Sequence, residues 1–179
     1  MSLTLRTTLA LCSIVFAGAA AAAEGAAPSD PQIAAIVVTA NQVDIDAGKL
    51  ALASTKSSDV KAFAQQMVTD HTAVNKSATG LAQKLKLTPE ENDTSRSLKK
   101  GGDENVAKLK TLKGAEFDRA YVDHEVAYHQ AVIDAIDKSL IPNAKNGELK
   151  ALLEKSRPAF VAHLEHAKHL QASLGKSGG

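Results

Sequence analysis

The stretch SSDVKAFAQQMVTDHTAVNKSATGLAQKL, Ser57 to Leu85, decides the fold. Ser57-Ser58-Asp59 supplies side chains that cap a helix start. Behind it Val60, Ala64, Met67, Val74, Ala78, Leu81 and Leu85 recur at helical steps, so one face is buried. The inward position between Met67 and Val74 is not apolar but His71. Upstream, Ser29-Asp30-Pro31 reads as another helix start, with proline where its missing N–H costs nothing. That helix carries Ile33, Val37, Ala40, Ala47 and Ala51 on its stripe and extends to about Lys56. A connection of a few residues makes the two helices pack antiparallel.

Working outward, Leu87 to Ala115 changes character, with Thr88-Pro89-Glu90-Glu91, Gly101-Gly102 and many Ser, Lys and Asp residues. It reads as a crossover of roughly thirty residues containing a short helical piece near Asn105 to Leu112. A third helix begins near Glu116, turns Phe117, Tyr121, Val132, Ile136 and Leu140 inward, and ends at Ile141-Pro142-Asn143. The fourth runs from about Gly147 to Leu174 on Leu149, Leu153, Phe160, Ala167, Leu170 and Leu174. Pro158 inside it removes one backbone hydrogen bond and predicts a kink. The expected fold is all-α, a four-helix bundle of two antiparallel hairpins joined by one long crossover. Period-two alternation and aromatic girdles are absent, which excludes a membrane β-barrel.

Thr7 to Ala23, TTLALCSIVFAGAAAAA, follows Arg6 and ends in small residues, the pattern of a cleaved export signal. The run is shorter than the roughly 20 apolar residues that span a bilayer, so no membrane span is expected. Leu11 precedes Cys12 and disfavours lipidation there. The reading is a signal at 1–23 and one domain at 24–179, with its core at about 31–174, placed in the periplasm or against the outer membrane. The 179 residues include 21 Lys and Arg against 20 Asp and Glu, with only 3% aromatics. This balance gives neither a cationic face nor stacking platforms, so nucleic acid is not an expected partner. Cys12 is the only cysteine, which excludes an internal disulfide, a cysteine zinc site and a thiolate-held cluster.

At about 100° per residue several inward positions are ionisable. Asp44 falls between Ala40 and Ala47, His71 between Met67 and Val74, and His163 between Phe160 and Ala167. Glu125 lies near the centre of the third stripe, with Asp118 and His129 close to the same line. Asp44 and His71 are equally far from the first turn, on the order of 20 Å at the helical rise. Glu125 is 15 residues before Leu140 and His163 is 16 after Gly147, so that pair also shares a level. Carboxylates facing histidines in a core can bind a divalent ion, and the mix suits iron, zinc or manganese. His166, one turn beyond His163, is a further candidate ligand at the edge of the stripe. Asp70 and Asp118 are placed to orient ligands from outside. The same residues can instead be hydrogen-bonded pairs, Asp44 with His71 and Glu125 with His163, that set helix register without metal. His124 and His169 point outward. No Gly-x-Ser-x-Gly elbow, phosphate loop or His-Glu-x-x-His is present, so nucleophilic and zincin-type catalysis lack a motif.

Three blocks together resemble a known family: Phe63-Ala64 with Met67-Val68-x-Asp70-His71; Phe117-Asp118-x-x-Tyr121 with Glu125-Val126-Ala127-Tyr128-His129; and Arg157-Pro158 with His163-Leu164. They look like the exported bacterial domain-of-unknown-function family 4142, often labelled predicted outer membrane protein. The resemblance covers about Pro31 to Leu170 and implies a ferritin-like fold and an exported bacterial home, but no agreed activity. Ferritin-type di-iron centres take Glu-x-x-His from two helices. Here Val68 and Phe160 stand three residues before His71 and His163, so a four-carboxylate oxidase centre is not expected. The expectation is a non-enzymatic envelope or stress protein binding a transition metal. A metal-dependent oxidoreductase and a structural or partner-binding bundle stand as the alternatives.

Overall fold

The computed structural model describes residues 27–176, and the export signal read at 1–23 lies outside them. Among the described residues the regular structure is helical throughout, with five principal helices. α1 is Asp30–Ser54, capped by Ser29 in a reciprocal box with Gln32, and α2 is Ser58–Lys84, capped by Ser57. Only residues 55–57 join them, and they pack side by side as the sequence predicts. α4 covers Gly114–Ala135 and runs on through a π-helical segment, Ile136–Leu140, into a last turn, Ile141–Asn143. α5 is Gly147–Lys176 and continues past Pro158, which therefore does not end it. The α4–α5 corner is tied to the start of α1, because both Asp30 carboxylate oxygens accept main-chain N–H groups, from Lys145 and Asn146, at 2.9 Å. No helix among the described residues is long and apolar enough to cross a membrane.

The crossover departs from expectation. In place of a short piece near residues 105–112 it carries an 18-residue helix, α3, Asp93–Lys110, laid against α1. Asn92 and Ser95 cap it reciprocally, each side chain accepting the other's main-chain N–H at 2.9 Å. Its buried residues are Ser95, Gly102 and Leu109, one every seven positions and only one of them large and apolar. Polar small residues thus hide the buried stripe from a hydrophobic count. A Cβ added at Gly102 would meet Val43 Cγ2 at 2.6 Å, so the helix backbone itself packs on α1. Gly102→Ala is expected to lower unfolding stability by about 1–3 kcal/mol. Gly101→Ala, where a methyl meets nothing within 4 Å, is expected to be neutral or to stabilise by up to about 1 kcal/mol. Urea denaturation of the two neighbouring variants checks the contrast.

Two apolar clusters fill the interior. One, at the α1–α2 turn, gathers Ala51, Val60, Phe63, Met67, Phe117 and Tyr121 with Leu109 of α3. The other, at the α4–α5 corner, gathers Ile33, Ile36, Ile133, Leu140, Leu153 and Phe160. On α1, α2 and α4 the buried Asn41 and Asp44, His71, and Glu125 and His129 fall in sequence between the two clusters, while on α5 His163 sits at the edge of the second cluster, between its members Phe160 and Leu164. A polar layer is therefore held between two oily ones, and water is excluded from both sides.

Candidate metal centre

Asp44, His71, Glu125, His129 and His163 are each no more than 3% exposed. The convergence expected from helix periodicity is present. His71 Nε2 lies 3.3 Å from Asp44 Oδ2, His129 Nε2 lies 3.5 Å from the same oxygen, and the two Nε2 atoms are 3.4 Å apart. Two ligands at about 2.1 Å from an ion in tetrahedral array are themselves about 3.4 Å apart. The three atoms therefore outline one face of a coordination tetrahedron. Ring nitrogens of His71, His129 and His163 all lie within 4.8 Å of one another, and so do donor atoms of Asp44, Glu125 and His129.

Each imidazole is anchored at its outer nitrogen by an oxygen. Asn41 Oδ1 takes His71 Nδ1–H at 2.8 Å, with the amide turned that way because its Nδ2 donates to the Val37 carbonyl at 2.7 Å. The Glu125 carbonyl, which can only accept, takes His129 Nδ1–H at 3.0 Å. Asp70 Oδ2 takes His163 Nε2–H at 2.9 Å. With the proton committed outward on every ring, the remaining nitrogens, Nε2 of His71 and His129 and Nδ1 of His163, are lone pairs inside the core. His163 Nδ1, both Asp44 oxygens and Glu125 Oε2 are buried with no well-directed hydrogen bond. Buried polar atoms left in that condition are rare and costly.

Burial also sets the protonation state. It pushes the Asp44 carboxyl up to about 8. Glu125 is held well above the usual carboxylate range by burial and then by Asp44. Burial, reinforced by His129 and His163, lowers His71 to about 2. His129 is lowered to about 4 by burial and His163, against the opposing pull of its bond to the Glu125 carbonyl. His163 is lowered by burial, opposed by Asp70. Burial thus favours the uncharged form of every member of the cluster, neutral imidazole and protonated carboxyl alike.

The pairings depart from expectation. Asp44 Oδ2 faces His71 Nε2 at 3.3 Å without a well-directed hydrogen bond, and in place of a Glu125–His163 pair His163 takes Asp70, while Glu125 Oε2 lies 3.4 Å from Nδ1 of its own helical neighbour His129. Asp70, read as an outer orienting group, does orient a ligand candidate from the α2 surface. Asp118 is buried on α4 but is not among the donors within 4.8 Å of one another. His166 is exposed, its Nδ1 bonded to Gln66 Oε1 at 3.0 Å and its ring set edge-on to Phe63, and it too stays outside the cluster. Asn41 carries no ionisable signal in the sequence, being a neutral amide; its clue is its place three residues before Asp44, on nearly the same face. Tyr128, whose hydroxyl donates to the Ala40 carbonyl at 2.8 Å, pins α4 to α1 beside the site.

The family described as Domain of unknown function (DUF4142) matches residues 16–170. No curated protein matches the chain. Among solved structures, CopM in the Cu(II)-bound form is similar in fold, with a TM-score of 0.63 over 82% of this chain and 98% of that one, at 17% identity.

Proposed function

This chain belongs to the DUF4142 family, and we propose that it is an exported metal-binding protein of the bacterial envelope. In this reading α1, α2, α4 and α5 form a ferritin-like four-helix bundle around one transition-metal ion. His71, His129 and His163 supply nitrogen and Asp44 supplies oxygen, while Glu125 stands beside them as a carboxylate of adjustable charge. The observation that carries the proposal is the triangle of His71 Nε2, His129 Nε2 and Asp44 Oδ2, with edges of 3.3, 3.4 and 3.5 Å. Nothing in a metal-free register role requires three lone pairs to face one another. Asn41, the Glu125 carbonyl and Asp70 hold the rings as outer partners hold metal-ligating histidines. Bound there, the ion would supply positive charge that the buried carboxyls otherwise lack.

The donor set bears on which ion. Imidazole-rich sites favour copper and zinc over manganese, which prefers oxygen, and copper(II) heads the affinity order of the divalent series. The likeness in fold to CopM in the Cu(II)-bound form points the same way and makes copper the first ion to try, ahead of iron, zinc and manganese. The export signal read at 1–23 supports the envelope location.

Titration of the metal-free chain with Cu(II) and Zn(II), followed by metal analysis after desalting, tests the reading. One ion per chain is expected. His71→Ala and His163→Ala should each weaken retention by more than about a hundredfold, since even outer partners of metal ligands are worth 10–100-fold. No retained ion, or equal retention in both variants, would leave the polar layer as a register device. In that case replacing Asp44 and His71 together with leucine should keep or raise the melting temperature.

A further inference from the structure

Phe160 stacks on His71, with ring centroids 5.3 Å apart and 27° between planes, and also lines a separate cavity of about 120 Å³. All five helices contribute walls, among them Ile36, Val74, Leu98, Val132 and Phe160. Its lining is almost wholly apolar although it opens at one end to the surface. The π-helical segment supplies Ile136 and Leu140 to its lining, and such turns occur often at functional sites.

We propose that this cavity is a binding site for one small, uncharged apolar molecule of about the size of benzene, seated against the Phe160 ring that stacks on His71. Apolar cavities of roughly 150 Å³ stay dry and take up benzene or xenon. The lining contains no charged residue, and its buried or half-buried polar side chains are already engaged. Asn41 bonds His71 and the Val37 carbonyl, the Tyr128 hydroxyl bonds the Ala40 carbonyl, and Ser156 Oγ bonds the Leu152 carbonyl at 2.8 Å. An occupant with a polar group would lose its water and find no partner. The remaining polar side chain, Thr94, is exposed, as is Ala131 beside α3, so the cavity reaches the surface between α3 and α4.

The inference stands apart from the metal reading, and its test uses the full metal-free chain. Benzene and, separately, xenon are titrated while side-chain NMR signals of Val132, Leu153 and Phe160 are followed. The expected result is one saturable site with shifts confined to the lining. Ala135→Phe, which fills the cavity, should weaken binding by at least about tenfold. Leu98→Ala, which enlarges it, should admit p-xylene more tightly than the native chain does. Absence of saturable binding to the native chain would overturn the proposal. So would unchanged affinity in Ala135→Phe or, if that variant does not fold, an equal response of the native chain and Leu98→Ala to p-xylene. Failure of metal titration leaves these outcomes untouched.

Discussion

Replacing His129 with alanine is expected to abolish metal binding and the stability that binding confers. His129 is the residue common to both sets of donors that lie within 4.8 Å of one another, the three histidines and the Asp44, Glu125 and His129 group. Its Nε2 also forms two edges of the donor triangle, to His71 and to Asp44. Removing it leaves His71 and His163 without the nitrogen between them and Asp44 without its second cation-sharing partner. An ion present at about 1,000 times its dissociation constant stabilises the folded state by about 4 kcal/mol. For a domain of this size that corresponds to a rise of about 8–16 °C in melting temperature. Thermal melts with and without Cu(II) or Zn(II) should therefore show a large upward shift in the native chain and none in His129→Ala. His166→Ala, altering an exposed ring bonded to Gln66, should keep the full shift. A shift retained in His129→Ala would place the ion elsewhere, as on the exposed His166 and His169.

The metal-free chain is expected to lose stability as the pH rises from about 6.5 toward 8. Asp44 keeps its proton in the folded chain up to about 8 but releases it near 3.8 when unfolded. Across that window the folded state holds the extra proton, so raising the pH favours unfolding, by about 1.4 kcal/mol per unit for one proton. Glu125, raised for the same reason, adds to the slope. His71 and His129 act in the opposite sense. Their folded values of about 2 and about 4 lie below the ordinary 6.5, so the unfolded chain binds protons that the folded chain refuses. Their contribution grows as pH rises to 6.5 and is level beyond it. Below that pH histidines and carboxyls oppose each other, and above it only the carboxyls contribute a slope. Metal bound through an ionised Asp44 should remove that group's share of the alkaline decline. Urea denaturation across this range, with and without metal, measures both curves. Stability of the metal-free chain that rises between pH 6.5 and 8 would contradict the buried, protonated carboxyls.

The helices α1 and α2, their serine caps and the tight turn between them are legible because apolar residues recur on one face and capping residues sit where the faces begin. The polar layer is legible for the same reason, since Asp44, His71, Glu125, His129 and His163 interrupt stripes that are otherwise apolar. Periodicity within one helix carries no information on how two hairpins are rotated against each other. Height along the helix therefore matches His163 with Glu125, whereas the structure gives it Asp70 from the neighbouring α2. Periodicity puts His166 at the stripe's edge, and the helical twist carries it past that edge to Gln66. α3 is obscured because Gly102 lays backbone rather than hydrocarbon against Val43, and Ser95, another of its buried positions, is polar. The cavity beside Phe160 depends on how all five helices meet, which no single stripe encodes.

The most direct measurement is pulsed electron paramagnetic resonance on the chain loaded with one equivalent of Cu(II), with histidine nitrogens isotopically labelled. Coupling to three imidazoles, falling to two in His163→Ala, is the result predicted by three ring nitrogens converging beside Asp44. Coupling to a single imidazole, or a signal unchanged by that substitution, would contradict it.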